Sequence, residues 1–238
     1  MGKSIKVSGV ILAGGASWRL GRDKALERIG DKTLIERVVD SLAPLTTEVL
    51  VVVARPEQAA ALHLPPSVRV VSDRYPGRGS LGGIFTGLDA SAEPWSLVVA
   101  CDMPFLNGEL LRHLIEARSN VDAVVPLLGG QPEPLHALYS KACLASMERM
   151  VRAGDLKIAP LFEAVRVRYV DEGTIDRIDP RHLSFFNINT QADLKEATRL
   201  LGEVGSCSAT LDLSARGADD LAEGKARPAD VDTPSERL

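Results

Sequence analysis

The stretch VILAGGASWRLGRDKAL, Val10 to Leu26, joins an apolar β-branched run to a glycine pair and then to Arg19, Arg22, Asp23 and Lys24. An apolar run closed by glycines reads as a buried strand that opens into a loop. The composition of that loop suits an anion: glycines let backbone N–H groups come close to it, and cations neutralise it. The common phosphate loop does not fit. Gly-x-x-x-x-Gly-Lys-[Ser/Thr] needs its lysine beside the second glycine and a hydroxyl after it. Here five residues separate Gly15 from Gly21, and Ala25 follows Lys24.

Outward from this stretch the same alternation recurs. Strands are expected at Val7–Ala13, Glu48–Val53, Val68–Ser72, Ser96–Cys101 and Ala123–Pro126, with helices at Leu34–Leu42, Glu57–Leu62, Leu81–Ser91 and Gly108–Arg118. VLVVVA and SLVVAC are apolar throughout, as strands buried on both faces of a parallel sheet must be. Strand–helix alternation predicts an α/β fold: a Rossmann-like, doubly wound, mostly parallel sheet in three α/β/α layers, with ligands at the carboxyl ends of the strands. The second half is less regular. It offers a strand in LHALYS, a helix Lys141–Ala153, strands near Val165–Val170 and Phe185–Ile188, and a helix Gln191–Leu201. Past Gly202 the periodicity stops, so residues 1–202 are expected to form one domain and 203–238 a flexible tail.

Bulk properties narrow the classes. A net charge of −4 argues against a general nucleic-acid binder and makes any anion site a local arrangement. Cys101, Cys143 and Cys207 share no short spacing, as expected of reduced thiols in a cytoplasmic protein. No apolar run is long enough to span a membrane, and Val7–Ala13 is too short for a signal-peptide core followed by a cleavage site.

The residues with chemical potential follow strands. Gly14-Gly15 and Lys24 come after the first, SDRYPGRGSLGG after the third, and CDMP after the fourth. In a parallel sheet these loops open on one edge, so Lys24, Asp73, the second glycine cluster and Asp102 can converge. Singly, each has a plain alternative: the glycines form turns, and Asp102 caps a helix after Pro104. GRGSLG, Gly77 to Gly82, matches the dinucleotide pattern, but Asp73 to Pro76 stand between it and the strand, and Pro76 opposes a tight strand-to-helix turn. His63, His113, His136 and His182 have no metal-ligand spacing. A Ser17–His136 nucleophile pair lacks a Gly-x-Ser-x-Gly elbow. Arg149 and Arg152 are expected on a solvated helix face.

Together these motifs resemble the molybdenum cofactor guanylyltransferases. LAGGASWRLGRDKAL is similar to their signature loop, and the likeness continues through DRYPGRGSLGGIFTGL, VVACDMPFL, PEPLHALYS and FFNINTQADL, covering Val7 to Leu201. Leu20 stands for the usual methionine, Ser80 for a common proline, and Ala54 or Arg55 for a family asparagine. The resemblance implies a nucleotidyltransferase that moves GMP from GTP to the terminal phosphate of the molybdenum-pterin cofactor, releasing pyrophosphate. It implies that Leu12, Ala13, Gly14, Gly15 and Gly82 lie around GTP, that Lys24 and Arg19 hold its phosphates, and that Asp73 contacts the nucleoside. Asp102 would hold Mg²⁺, and Asn187 and Asn189 would form a cofactor-side or structural pair. GTP and the molybdenum-pterin cofactor are then the substrates, and other proteins of that cofactor's biosynthesis and recipient molybdoenzymes the candidate partners, with neither nucleic acid nor membrane. The rivals are a molybdenum cofactor cytidylyltransferase, whose branch usually has alanine at the position of Gly14, a sugar-phosphate nucleotidyltransferase, and a non-catalytic nucleotide-binding protein of the same fold.

Overall fold

The apolar runs become the strands of one sheet. In the computed structural model, which describes residues 6–14 and 24–203, the first run is β1 (Ser8–Leu12). A short hairpin follows, β2 (Arg28–Ile29) and β3 (Lys32–Thr33), and then helix α1 (Leu34–Leu42). Thr33 and Glu36 close a capping box: the Glu36 N–H donates to Thr33 Oγ1 and the Thr33 N–H to Glu36 Oε2. Next come β4 (Glu48–Val53), α2 (Pro56–Ala61), β5 (Val68–Ser72), α3 (Gly79–Ala90), β6 (Trp95–Ala100) and α4 (Gly108–Glu116). The remaining elements are β7 (Ala123–Leu128), β8 (Gln131–Pro132), β9 (His136–Ser140), α5 (Leu144–Ala153), α6 (Ala159–Ala164), β10 (Val167–Val170) and α7 (Glu172–Ile178). Residues 191–203 are helical (α8).

The strand order is β10-β7-β9-β6-β1-β4-β5, with β8 paired to β7. β1 pairs in parallel with both β4 and β6, β4 with β5, and β10 with β7. β9 runs antiparallel between β6 and β7. The sheet is therefore mostly parallel, as expected. Because the chain winds from β1 to β4 and β5 and then returns to place β6 on the other side of β1, the loops after β1 and β6 open side by side at the carboxyl edge of the sheet.

Alternation sends side chains into two cores. Ile11, Val51, Leu97 and Val99 pack under α1, α4 and α7, against residues such as Val38, Leu114 and Ile175. Val10, Leu50, Val52 and Val98 pack under α3, α5 and α6, against Leu81, Met147 and Leu161. This gives the three layers. The α3–β1 contact is close: a Cβ on Gly87 would lie 2.3 Å from Val10 Cγ1, which only glycine avoids.

One expected strand is absent. Across the expected span Phe185–Ile188, Leu183–Phe185 forms a 3₁₀ turn and residues 186–189 are irregular. The buried positions are Ser184, Phe185 and Ile188, which do not share a face with period two. The expected helix from Lys141 divides into a 3₁₀ turn, Lys141–Cys143, followed by α5. The proposed tail boundary falls at the edge of the described residues, and residues 204–238 lie outside them, Cys207 included.

Candidate active site

Strand pairing aligns three loops on one edge. Leu12 stands opposite Val52 and Ala100, the Ala13 N–H donates to the Val52 carbonyl at 2.8 Å, and the Cys101 N–H donates to the Leu12 carbonyl at 3.1 Å. The Asp73 N–H donates to the Val53 carbonyl at 2.8 Å. From Gly14 the main chain leaves the sheet beside the loop after β4. A Cβ on Gly14 would lie 2.9 Å from the Ala54 nitrogen, so these two loops touch through backbone. Ala54 or Arg55 occupies the position where the resemblance leads one to expect an asparagine. Arg55 caps α2, with Gln58 reaching back to its N–H at 3.0 Å.

Lys24 opens a 3₁₀ turn, Lys24–Leu26, and its ammonium reaches Asp102 Oδ2 at 3.4 Å and Asn189 Oδ1 at 2.6 Å. The Lys24 and Asp102 side chains keep only 12% and 19% of their exposure. Asp102 does not cap a helix: α4 starts at Gly108, and the Asn107 side chain accepts from the Glu109 and Leu110 N–H groups. The Asp102 carbonyl accepts from the Ile188 N–H at 3.0 Å, which ties the second half of the chain to the β6 loop. Asn187 turns inward, its Nδ2 donating to the Phe185 carbonyl at 3.0 Å. Of the two asparagines, only Asn189 meets the lysine.

Asp73 and the second glycine cluster are organised locally. Asp73 Oδ1 accepts from Thr86 Oγ1 at 2.8 Å and from the Tyr75 N–H at 3.0 Å, fixing the loop onto α3. Gly82 lies in the first turn of α3, where a Cβ would sit 3.0 Å from the Tyr75 carbonyl. Gly77 lies in the turn before α3 and not directly after β5, so the dinucleotide pattern has no matching geometry. Gly15, Ser17, Arg19 and Leu20 lie outside the described residues. Arg149 and Arg152 are on the exposed face of α5, Arg152 paired with Glu148.

Two acidic residues at this edge escaped the sequence reading. Asp193 Oδ2 accepts from the Asn189 N–H at 2.9 Å and the Thr190 N–H at 2.8 Å. Its carboxyl is held below the usual aspartate range, first by the Asn189 N–H and then by Thr190. The Thr190-x-x-Asp193 spacing is a legible capping box. Glu133 precedes β9 where the Leu135 carbonyl accepts from the Ala100 N–H, and burial pushes its carboxyl up. Among the described residues no group of three or more His, Cys, Asp or Glu side chains is placed to hold a metal ion. Nor is any helix of the described residues long and apolar enough to cross a membrane.

A doubly wound sheet with a lysine, a carboxylate and close-set glycine backbone at its switch point defines an enzyme of the nucleotidyltransferase class. Residues 9–168 match the model of the MobA-like NTP transferase domain, and the chain belongs to this family. A protein named "Probable molybdenum cofactor guanylyltransferase" from Pelotomaculum thermopropionicum is 39% identical over 199 residues, covering 84% of this chain and 95% of its own. One of the same name from Chloroflexus aggregans is 38% identical over 204 residues, covering 82% and 95%. Among solved structures, molybdopterin-guanine dinucleotide biosynthesis protein A from Archaeoglobus fulgidus superposes with a TM-score of 0.73 at 31% identity, covering 82% of this chain and 99% of that one.

Proposed function

We propose that this enzyme transfers GMP from GTP to the terminal phosphate of the molybdenum-pterin cofactor and releases pyrophosphate. The observation that carries the reading is the convergence of Lys24 and Asp102, 3.4 Å apart at the switch point, on a chain whose relatives bear the guanylyltransferase name. An oxygen of the acceptor phosphate attacks the α-phosphorus of GTP. A new P–O bond forms, the bond from the α-phosphorus to the bridging oxygen breaks, and pyrophosphate departs with that electron pair. The nucleophile is already an anion, so no general base is required, in keeping with the absence of a histidine from the Lys24–Asp102–Asn189 cluster. The remaining barrier is the approach of two polyanions, which positioning and charge compensation lower.

We assign Lys24 as the cation that compensates the phosphates, and the resemblance adds Arg19, which lies outside the described residues. Among the described residues the Lys24 ammonium contacts two oxygens, Asp102 Oδ2 and Asn189 Oδ1, and a phosphate oxygen is the same kind of acceptor. The donor set also fits Mg²⁺: Asp102 supplies one hard carboxylate, and such sites are completed by phosphate oxygens and water, unlike a cage of protein ligands. Asp102 would hold that ion, whose contribution when bound is to neutralise phosphate charge. Gly14 supports the guanylyl reading over the cytidylyl one. An alanine there would bring its Cβ to 2.9 Å from the Ala54 nitrogen and push the two loops apart.

Pyrophosphate release measured with each of the four NTPs, with and without molybdenum-pterin cofactor, tests this. Cofactor-dependent release with GTP is expected, together with preferential guanosine incorporation when GTP and CTP compete. Preferred cytidine incorporation would move the chain to the sister activity, and no release with any NTP would leave a non-catalytic nucleotide binder.

A further inference from the structure

We infer that Asp193 is a positioning residue for Lys24: its carboxylate fixes the Asn189 main chain, and Asn189 holds the lysine ammonium. The inference rests on the reading of Lys24 as the phosphate-compensating cation. Asp193 Oδ2 accepts two successive N–H groups, from Asn189 at 2.9 Å and from Thr190 at 2.8 Å. The Thr190 bond belongs to an ordinary capping box, completed by the Asp193 N–H donating to Thr190 Oγ1 at 3.1 Å. The Asn189 bond is additional to that box. It fixes the residue one step before the cap, which presents Oδ1 to Lys24 Nζ at 2.6 Å.

An exposed asparagine at the end of an irregular segment has little else to hold it. The Ile188 N–H is taken by the Asp102 carbonyl on one side, and the Asp193 carboxylate takes the Asn189 N–H on the other. Between these two anchors the Asn189 main chain is held, and with it the Cα from which its amide reaches Lys24. The helix that carries Asp193 is itself docked, with Ala197 fully buried against Ile29 and Leu34. A rigid element thus reaches the ammonium through one carboxylate and one amide. Lys24 and Asn189 are 165 positions apart in the chain, so their register depends on this docking. Asp193 accepts main-chain N–H groups and has no hydrogen bond to the lysine, although the Lys24 charge helps keep it ionised. Its influence on Lys24 therefore passes through Asn189.

Side-chain ¹³C NMR of the free protein, with the Lys24 Cε signal assigned through Lys24→Arg, reads the position directly. Asp193→Ala is expected to move the Lys24 signal in the same direction as Asn189→Ala, and Asp193→Glu to restore it, because a glutamate carboxylate can again accept the Asn189 N–H. Steady-state kinetics then supply a cycle. Asp193→Ala should lower kcat/KM for GTP by about ten- to a hundredfold, as small misplacements of catalytic groups do, at temperatures well below its melting point. On an Asn189→Ala background it should add little further loss. An unmoved Lys24 signal, a full multiplicative loss on that background, or a kinetic defect that disappears on cooling would each reduce Asp193 to a helix cap. If the wild-type protein turns over no nucleotide, the functional reading fails, and the NMR comparison still decides what Asp193 does.

Discussion

His136 is completely buried at the start of β9, opposite Val99 of β6, with its ring centroid 4.7 Å from that of Phe185. Neither ring nitrogen has a hydrogen-bond partner of acceptable geometry. Burial depresses its pKa to about 4, against the weaker opposing influence of the Asp179 charge and the Ser184 backbone. The native state thus keeps this imidazole neutral where the unfolded chain, titrating near 6.5, takes up a proton. Because the folded value is the lower one, the stability from this group is fully present above pH 6.5 and is lost as pH falls toward 4. The slope is about 1.4 kcal/mol per pH unit in that window, for a total of about 3 kcal/mol. Replacement with phenylalanine keeps an aromatic ring against Phe185 and removes the titration. Urea unfolding followed by circular dichroism between pH 7.5 and pH 4 should show the wild type losing stability relative to His136→Phe by about that amount. Taking the difference between the two proteins removes the carboxylates, which titrate alike in both. Parallel stability curves across this window would refute the reasoning and require a charged or water-bridged imidazole in the core.

The remaining predictions concern the site and the α3 contact. Asp102→Asn should leave the circular dichroism spectrum intact and cut turnover by on the order of 10²-fold, since one electrostatic element of the transition state is lost. Near-normal rates at saturating Mg²⁺ would remove Asp102 from the mechanism. Lys24→Ala should weaken GTP binding far more than guanosine binding in calorimetric titrations, and equal losses would place the lysine away from the phosphates. Gly87→Ala should destabilise the protein by about 1–3 kcal/mol through overpacking against Val10, with part of the loss recovered in a Gly87→Ala/Val10→Ala double variant in thermal unfolding.

The parallel half of the sheet was readable because its strands are buried on both faces. VLVVVA and SLVVAC carry no charged residue, and β4 and β6 lie close to the positions expected for them. The β6 loop was readable too, because CDMP follows such a run directly. What failed was alternation without pairing: Phe-Asn-Ile-Asn has the period of a strand, but Asn187 turns its amide onto the Phe185 carbonyl and only Ile188 bonds to the neighbouring loop. Sequence alone named Asn189 through the family likeness and could not say that it meets Lys24, because that contact depends on how α8 docks. Asp73 shows the converse. Its place after β5 was legible, whereas its engagement with Thr86 depends on the approach of α3 and is invisible in a linear reading.

The contact between Lys24 and Asn189 has a consequence for how the enzyme comes into being. The sheet strands β1, β4, β5 and β6 are all complete by residue 100, and they can pair as the chain emerges during synthesis. The Lys24–Asp102–Asn189 cluster cannot, because Asn189 arrives 165 residues after Lys24 and is fixed only when the helix beyond it has docked. Contacts of such long sequence separation form late, after the entropy of closing the intervening loop has been overcome. A nascent chain can therefore pair these strands before the Lys24–Asn189 contact exists, and that cluster is among the last parts of the molecule to assemble.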